Sequence, residues 1–108
     1  MRLSVIMPCY NEAESLSAIL TKVRAVPIDK EIIVIDDCSR DGTPDVLRQE
    51  QQHDPHLRVI RHETNRGKGA AVRTGIAAAQ GDVIIIQDAD LEYDPNDYHE
   101  VVTPIFCL

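Results

Sequence analysis

Two aspartates one residue apart, Asp88 and Asp90, follow the apolar run Val83 to Ile86 in this 108-residue chain. Alternation along an extended backbone puts both carboxylates on one side, where they can face a single cation. Their oxygens are hard ligands that suit Mg²⁺ or Mn²⁺, ions that keep waters and accept phosphate oxygens as further ligands. A second acidic pair, Asp36-Asp37, follows Ile32-Ile33-Val34-Ile35 and leads into Cys38-Ser39-Arg40-Asp41-Gly42-Thr43. A third polar segment, Pro8-Cys9-Tyr10-Asn11-Glu12, follows the apolar residues up to Met7. Asp36, Asp37, Asp88 and Asp90 brought together uncompensated would repel one another, and a bound cation relieves that repulsion. Asp41 and Asp94 stand beside Gly42 and Pro95 and read as turn and cap residues instead.

The segment Asn65-Arg66-Gly67-Lys68-Gly69 combines glycines with two cations just before a helical pattern. It suits an anion at a helix N-terminus, and equally a plain loop-to-helix turn. It is no Walker loop, because Gly69 follows the lysine where Ser or Thr is needed. The four histidines, His53, His56, His62 and His99, lack ligand spacing and read as solvated surface residues. Cys9, Cys38 and Cys107 show no Cys-x-x-Cys spacing and read as free thiols.

Strands and helices must alternate to position these residues. Met1 to Met7, Glu31 to Ile35 and Val83 to Ile86 read as strands whose apolar runs are of the kind buried on both faces of a parallel sheet. Leu57 to His62, with interleaved charges, suits an edge strand. Leu16, Ile19, Leu20 and Val23 share one helical face, with Asn11 and Glu14 as an expected capping box. Thr43-Pro44 predicts an N-cap and first turn for a second helix through about Gln51. A third helix is expected from Lys68 to Ala79, with Val72, Ile76 and Ala79 inward, and a fourth from Asp94-Pro95.

The order is βαβαβαβα, one α/β domain over residues 1–108. Right-handed crossovers then give a parallel sheet with helices on both faces. Ligands of such sheets bind beyond the carboxyl ends of the strands, where the polar segments lie. The net charge of −7 argues against nucleic acid as a partner. There is no apolar stretch long enough to span a bilayer and no signal-peptide pattern, so a cytoplasmic location is expected.

Taken together, Val5-Ile6-Met7-Pro8-Cys9-Tyr10-Asn11-Glu12, Ile33-Val34-Ile35-Asp36-Asp37-Cys38-Ser39 with Asp41-Gly42-Thr43, Asn65-Arg66-Gly67-Lys68-Gly69 and Asp88-Ala89-Asp90 resemble family-2 glycosyltransferases. The resemblance is nearest to the polyprenyl-phosphate branch, which includes the dolichol-phosphate mannosyltransferases, and it spans the chain from Leu3 to Pro95. It implies a GT-A, Rossmann-like fold and a nucleotide-diphosphate sugar donor, GDP-mannose or a UDP-sugar. It also implies inverting transfer to an acceptor such as a polyprenyl phosphate at a membrane surface. By the same resemblance Pro8, Tyr10 and Glu12 cradle the nucleoside, and Ile35 and Asp37 contact the base. Asp88 and Ala89 approach the ribose and diphosphate, Asp90 is the principal metal ligand, and Glu92 touches donor or metal.

Members of that family carry at least as much chain again after the Asp-x-Asp strand, holding the acceptor groove and the catalytic base. No catalytic residue can be named here, and the chain is expected to bind donor without transferring sugar. In the strand order 3-2-1-4 the fourth strand has an open edge, which predicts a homodimer through that edge, or aggregation. The alternative is a Mg²⁺-binding receiver-like signalling domain, though receivers place their acidic pair after the first strand. A phosphatase using Asp-x-Asp-x-Thr would need Thr where Glu92 stands.

Overall fold

The computed structural model describes residues 2–89, so Asp90, Glu92, His99, Cys107 and the helix expected from Asp94-Pro95 lie outside the described residues. Seven elements alternate: β1 (Leu3–Cys9), α1 (Leu16–Ala25), β2 (Lys30–Asp36), α2 (Thr43–His53), β3 (Arg58–Arg61), α3 (Lys68–Ala78) and β4 (Val83–Ile86). The four strands form one parallel sheet in the order β3-β2-β1-β4. The architecture is the expected Rossmann-like one, with β3 at an edge.

Strand alternation sorts the core onto two faces. Leu3, Val5, Met7 and Cys9 of β1 pack with Leu16, Ile19, Leu20 and Val23 of α1 and Leu47 of α2. Ile6 of β1 faces the other way, toward Ile33, Ile35 and Ala71 of α3. Helices therefore cover both faces.

On α3 the inward stripe differs from the expected one. Ala70, Ala71 and Gly75 are the buried positions, while Ile76 remains 38% exposed and Val72 half-buried. Gly75 shows why: a Cβ there would lie 2.2 Å from Ile6 Cγ2 and 2.8 Å from Ile35 Cδ1. The helix backbone sits directly on the strand side chains, which only the smallest residues permit. Periodicity favoured the larger apolar side chains, and close approach chose the small ones.

Two helix starts also differ from expectation. α1 begins at Leu16 with Ser15 as N-cap, and Asn11 lies further back in the left-handed region at φ 54°. The side chain of Asn11 accepts the Arg40 N–H at 2.8 Å, so it ties two loops together and caps nothing. In α2 the N-cap position is Gly42, and Thr43 is already helical. Asp41 takes the capping work by accepting the Thr43 N–H at 2.9 Å.

At the amino ends of the strands a buried polar node locks the sheet. Glu31 accepts from Ser4 Oγ and the Gln80 N–H, both at 2.6 Å, and from Arg58 at 3.1 Å. Burial pushes the Glu31 pKa up, but the bonds from Ser4, Gln80 and Arg58 outweigh it and hold the group below the ordinary carboxylate range.

Candidate functional site

The chain runs β1 to β2 to β3 toward one side of the sheet, then crosses back to place β4 on the other side of β1. That reversal makes the β1–β4 boundary the topological switch point, where α/β sheets bind ligands. The β1–β2 ladder continues to Cys9 opposite Asp36, whereas the β1–β4 ladder stops at Ile6 opposite Ile86. Beyond that last pair, the β4 chain continues into Gln87, Asp88 and Ala89 while β1 runs on through Met7, Pro8 and Cys9.

The loops on this rim are braced against one another. Asn11 N donates to Ser39 Oγ at 2.9 Å, and Glu12 N donates to Thr43 Oγ1 at 3.0 Å. Asp41 Oδ2 receives the Ala13 N–H at 3.3 Å. Burial raises the Asp41 pKa, but its bonds from Thr43 and Ala13 prevail and keep it low. Ser15 Oγ lies 2.7 Å from the Ala89 carbonyl, to which it donates, and 3.1 Å from Glu12 Oε2. Glu12, expected at the nucleoside, and Ala89, expected at the ribose and diphosphate, are thus joined through a single hydroxyl.

The acidic pair after β2 is compensated inside the protein, which corrects the expected carboxylate repulsion. Asp36 Oδ2 is 2.6 Å from Arg61 Nη1, and its Oδ1 accepts the Ser39 N–H at 2.9 Å. Asp37, only 4% exposed, accepts the backbone N–H groups of Arg66 at 2.9 Å and Gly67 at 2.8 Å. Its Oδ1 also lies 2.8 Å from His62 Nδ1. Burial works to raise the Asp37 pKa, but the Arg66, His62 and Gly67 bonds win and the carboxyl is held low. No cation is needed to reconcile these two groups.

His62 is the residue that sequence reasoning missed. Expected at the surface, it is 6% exposed and wedged between Asp37 and Thr74 of α3. The signal was its place at the end of a strand beside three other polar strand ends, which spacing rules for metal ligands do not register. His53 and His56 are exposed, as expected.

Asp88 extends the rim past β4, and its Oδ1 is 2.6 Å from Lys68 Nζ. The Asn65–Gly69 segment therefore meets the Asp-x-Asp segment in space. Gly67 stands at φ 92°, and its amide points at Asp37. Among the described residues no three His, Cys, Asp or Glu side chains cluster as a metal site, and Asp90 lies outside them. The donor chemistry nevertheless suits a hard cation. The Cys9 thiol is pushed up to about 12, first by burial and then by the negative charges of Asp36, Glu12, Asp41 and Asp37. Burial leads, and the surrounding carboxylates add a negative potential at that thiol.

The remaining expected contacts divide. Tyr10, 41% exposed, and Glu12 stand on the rim. Pro8 is buried in β1 opposite Ile35 of β2, and the Ile35 side chain is wholly inside the α3-side core. A groove of about 280 Å³ lies elsewhere, near the amino end of β2, with Arg2, Arg24, Lys30 and Asp54 among its walls. It gathers none of the motif residues, so the chemistry is assigned to the rim.

A parallel sheet with its polar residues gathered at a switch point defines an α/β protein of the Rossmann-like class. The chain belongs to glycosyl transferase family 2, whose model matches residues 4–106. Among similar proteins is an undecaprenyl-phosphate 4-deoxy-4-formamido-L-arabinose transferase of Pseudomonas syringae, 37% identical over 105 residues. That match covers 92% of this chain and 31% of the relative. A dolichol-phosphate mannosyltransferase of Pyrococcus furiosus is 34% identical over 107 residues, covering 97% of this chain and 30% of the relative. The chain thus spans about a third of the length of these curated relatives.

Among solved structures, a mannosyltransferase of Pyrobaculum calidifontis in complex with GDP-Man and Mn²⁺ superposes with a TM-score of 0.77 at 33% identity. It aligns with 82% of this chain and 27% of that one. TarS of S. aureus in complex with UDP gives a TM-score of 0.75 at 29% identity, over 83% of this chain and 28% of that one. The family match removes the receiver-like and phosphatase alternatives.

Proposed function

We propose that this chain is the donor-binding part of a glycosyltransferase that takes a nucleotide-diphosphate sugar together with Mn²⁺ or Mg²⁺. The observation that carries the reading is the switch-point rim, where Ser15 links Glu12 to Ala89 and Lys68 links the Asn65–Gly69 turn to Asp88. Structures of similar proteins hold GDP-Man with Mn²⁺ in one case and UDP in another, which supports the same ligand class here.

In this reading Tyr10 and Glu12 flank the nucleoside, while Pro8 and Ile35, buried in the sheet, act on it only by shaping the strand ends. Asp37 Oδ2 accepts one amide bond, from Gly67, and retains acceptor capacity for an N–H of the base. Asp88 and Asp90 hold the cation, Ala89 lies along the ribose and diphosphate, and Glu92 completes the donor side. The cation, when bound, neutralises the leaving diphosphate as a Lewis acid. Lys68, beside Asp88, adds positive charge next to the same phosphates.

Relatives named for undecaprenyl and dolichol phosphates make a polyprenyl phosphate the acceptor of choice, with inverting transfer at a membrane surface. Among the described residues no helix is long and apolar enough to cross a membrane, which fits peripheral attachment. Pairing of two copies along the outer edge of β4 is the homodimer the sheet would support.

Calorimetric titration with GDP and UDP, each with and without Mn²⁺, tests the reading. Binding of at least one nucleotide that strengthens with the metal is expected. Absence of both, in a chain whose circular dichroism is that of a folded α/β protein, overturns it.

A further inference from the structure

His62 belongs to none of the motifs, yet it is the most enclosed titratable ring of the rim. Its backbone N–H extends the sheet by donating to the Asp36 carbonyl at 2.9 Å. That anchor fixes where the ring begins. The ring then spans from the end of β2 to the middle of α3, with Nδ1 2.8 Å from Asp37 Oδ1 and Nε2 2.8 Å from Thr74 Oγ1.

Counting protons assigns the roles. Asp37, held as a carboxylate, can only accept, so Nδ1 carries a hydrogen. The Thr74 hydroxyl has one proton and two acceptors in reach, Nε2 and the Ala70 carbonyl at 3.0 Å. With a neutral ring, Thr74 donates to Nε2. With a charged ring, Nε2–H donates to Thr74 and the hydroxyl proton turns to Ala70. In both states Nδ1–H stays on Asp37.

We infer that His62 is a positioning residue for the nucleoside end of the donor site, holding the Asp37 carboxylate through Nδ1–H. The inference rests on the reading of Asp37 as a contact of the base. Asp37 in turn clamps the Arg66 and Gly67 amides, so one ring fixes both a ligand acceptor and the turn that delivers Lys68. The charged groups around the ring are accounted for. Asp37 faces it from the residue just past β2. On β3 the neighbouring Arg61 is directed to Asp36 and the Ser39 carbonyl, and on α3 the facing group is the uncharged Thr74.

Two isosteric replacements separate positioning from bulk stability. His62→Asn keeps an N–H donor near the place of Nδ1, whereas His62→Gln puts its amide near the place of Nε2 and loses the bond to Asp37. Each variant gives up one of two buried hydrogen bonds, so both should lose similar thermal stability. Mn²⁺-dependent binding of GDP and UDP to the 108-residue chain should stay within about threefold of wild type for His62→Asn. For His62→Gln it should fall by about tenfold.

Ring ¹⁵N NMR of the wild type in alkaline buffer should show the Nδ1–H tautomer of His62. The Nε2–H tautomer, or affinities that fall equally in both variants, would overturn the inference even with the wild type binding nucleotide. A wild type that binds neither nucleotide removes the donor-site reading itself, and the inference with it.

Discussion

Lys68 Nζ and Asp88 Oδ1, from the start of α3 and the end of β4, stand 2.6 Å apart across the rim. The lysine is well exposed, so the pair contributes little to folding, about 0–1 kcal/mol. Lys68→Met should therefore unfold near the wild-type temperature while binding GDP or UDP more weakly. Equal nucleotide affinity in calorimetry would leave Lys68 without a part in holding the diphosphate.

Removing the carboxylate of Asp90 should abolish the Mn²⁺ dependence of nucleotide binding, and Asp88→Ala should weaken it severely. Asp41→Ala is the contrast. It loses the bonds to Thr43 and Ala13 and should cost about 1–2 kcal/mol of stability. Manganese titration followed by electron paramagnetic resonance separates the two effects. An Asp90→Ala protein that retained wild-type Mn²⁺ affinity in the presence of nucleotide would disprove the metal assignment.

Gly75→Ala sets two effects against each other. Alanine favours a helix interior over glycine by about 1 kcal/mol. The added methyl would collide with Ile6 and Ile35, and overpacking costs about 1–3 kcal/mol. The collision should win, lowering the urea midpoint with little change in slope. A midpoint at or above wild type would mean that α3 can lift off the sheet without penalty.

Acid should unfold the protein through Asp37, Glu31 and Asp41. All three are held below their ordinary pKa when folded. Such groups stabilise the fold fully above the unfolded carboxylate value and lose that contribution as pH falls through the folded one. Stability should thus be level near neutrality and decline in the acid range. Glu31→Gln should flatten the decline while lowering stability at neutral pH, as chemical denaturation across pH would record.

Cys9 should resist alkylation in the native protein. Its thiol is buried and pushed up to about 12, so almost no thiolate exists near neutral pH. Of the two described cysteines, half-buried Cys38 should react first. Peptide mass mapping after brief iodoacetamide treatment checks the order, and rapid native labelling of Cys9 would contradict the negative potential inferred around it.

What could be read from the sequence was whatever depends on periodicity along the chain. The runs ending at Met7, Ile35 and Ile86 announced strands, the first two buried on both faces and the third with Ile84 and Ile86 half-buried, and their polar sequels marked the rim. Pairings across the sheet were not legible. Arg61 with Asp36, and His62 with Asp37, depend on register between β2 and β3, and one residue of slip would exchange their faces. The α3 stripe was misread because a helix resting on isoleucines selects for small volume, which hydrophobic patterns do not weigh. Asn11 was misread because its preference for caps is equally a preference for the left-handed backbone it adopts.

The rim loops are held mostly through main-chain amides. Asp37 grips those of Arg66 and Gly67, Asn11 that of Arg40, Ser39 that of Asn11, and Thr43 that of Glu12. Among the described residues, these loops are thus fixed without the exposed side chains of Tyr10, Arg40 and Arg66. Shape and selectivity are written in separate alphabets: in the donor-site reading proposed above, substitutions at Tyr10 can retune which ligand is preferred while the loops keep their course. A library varied at Tyr10, Arg40 and Arg66 should remain folded almost throughout, which makes this rim a tractable starting point for redirecting recognition.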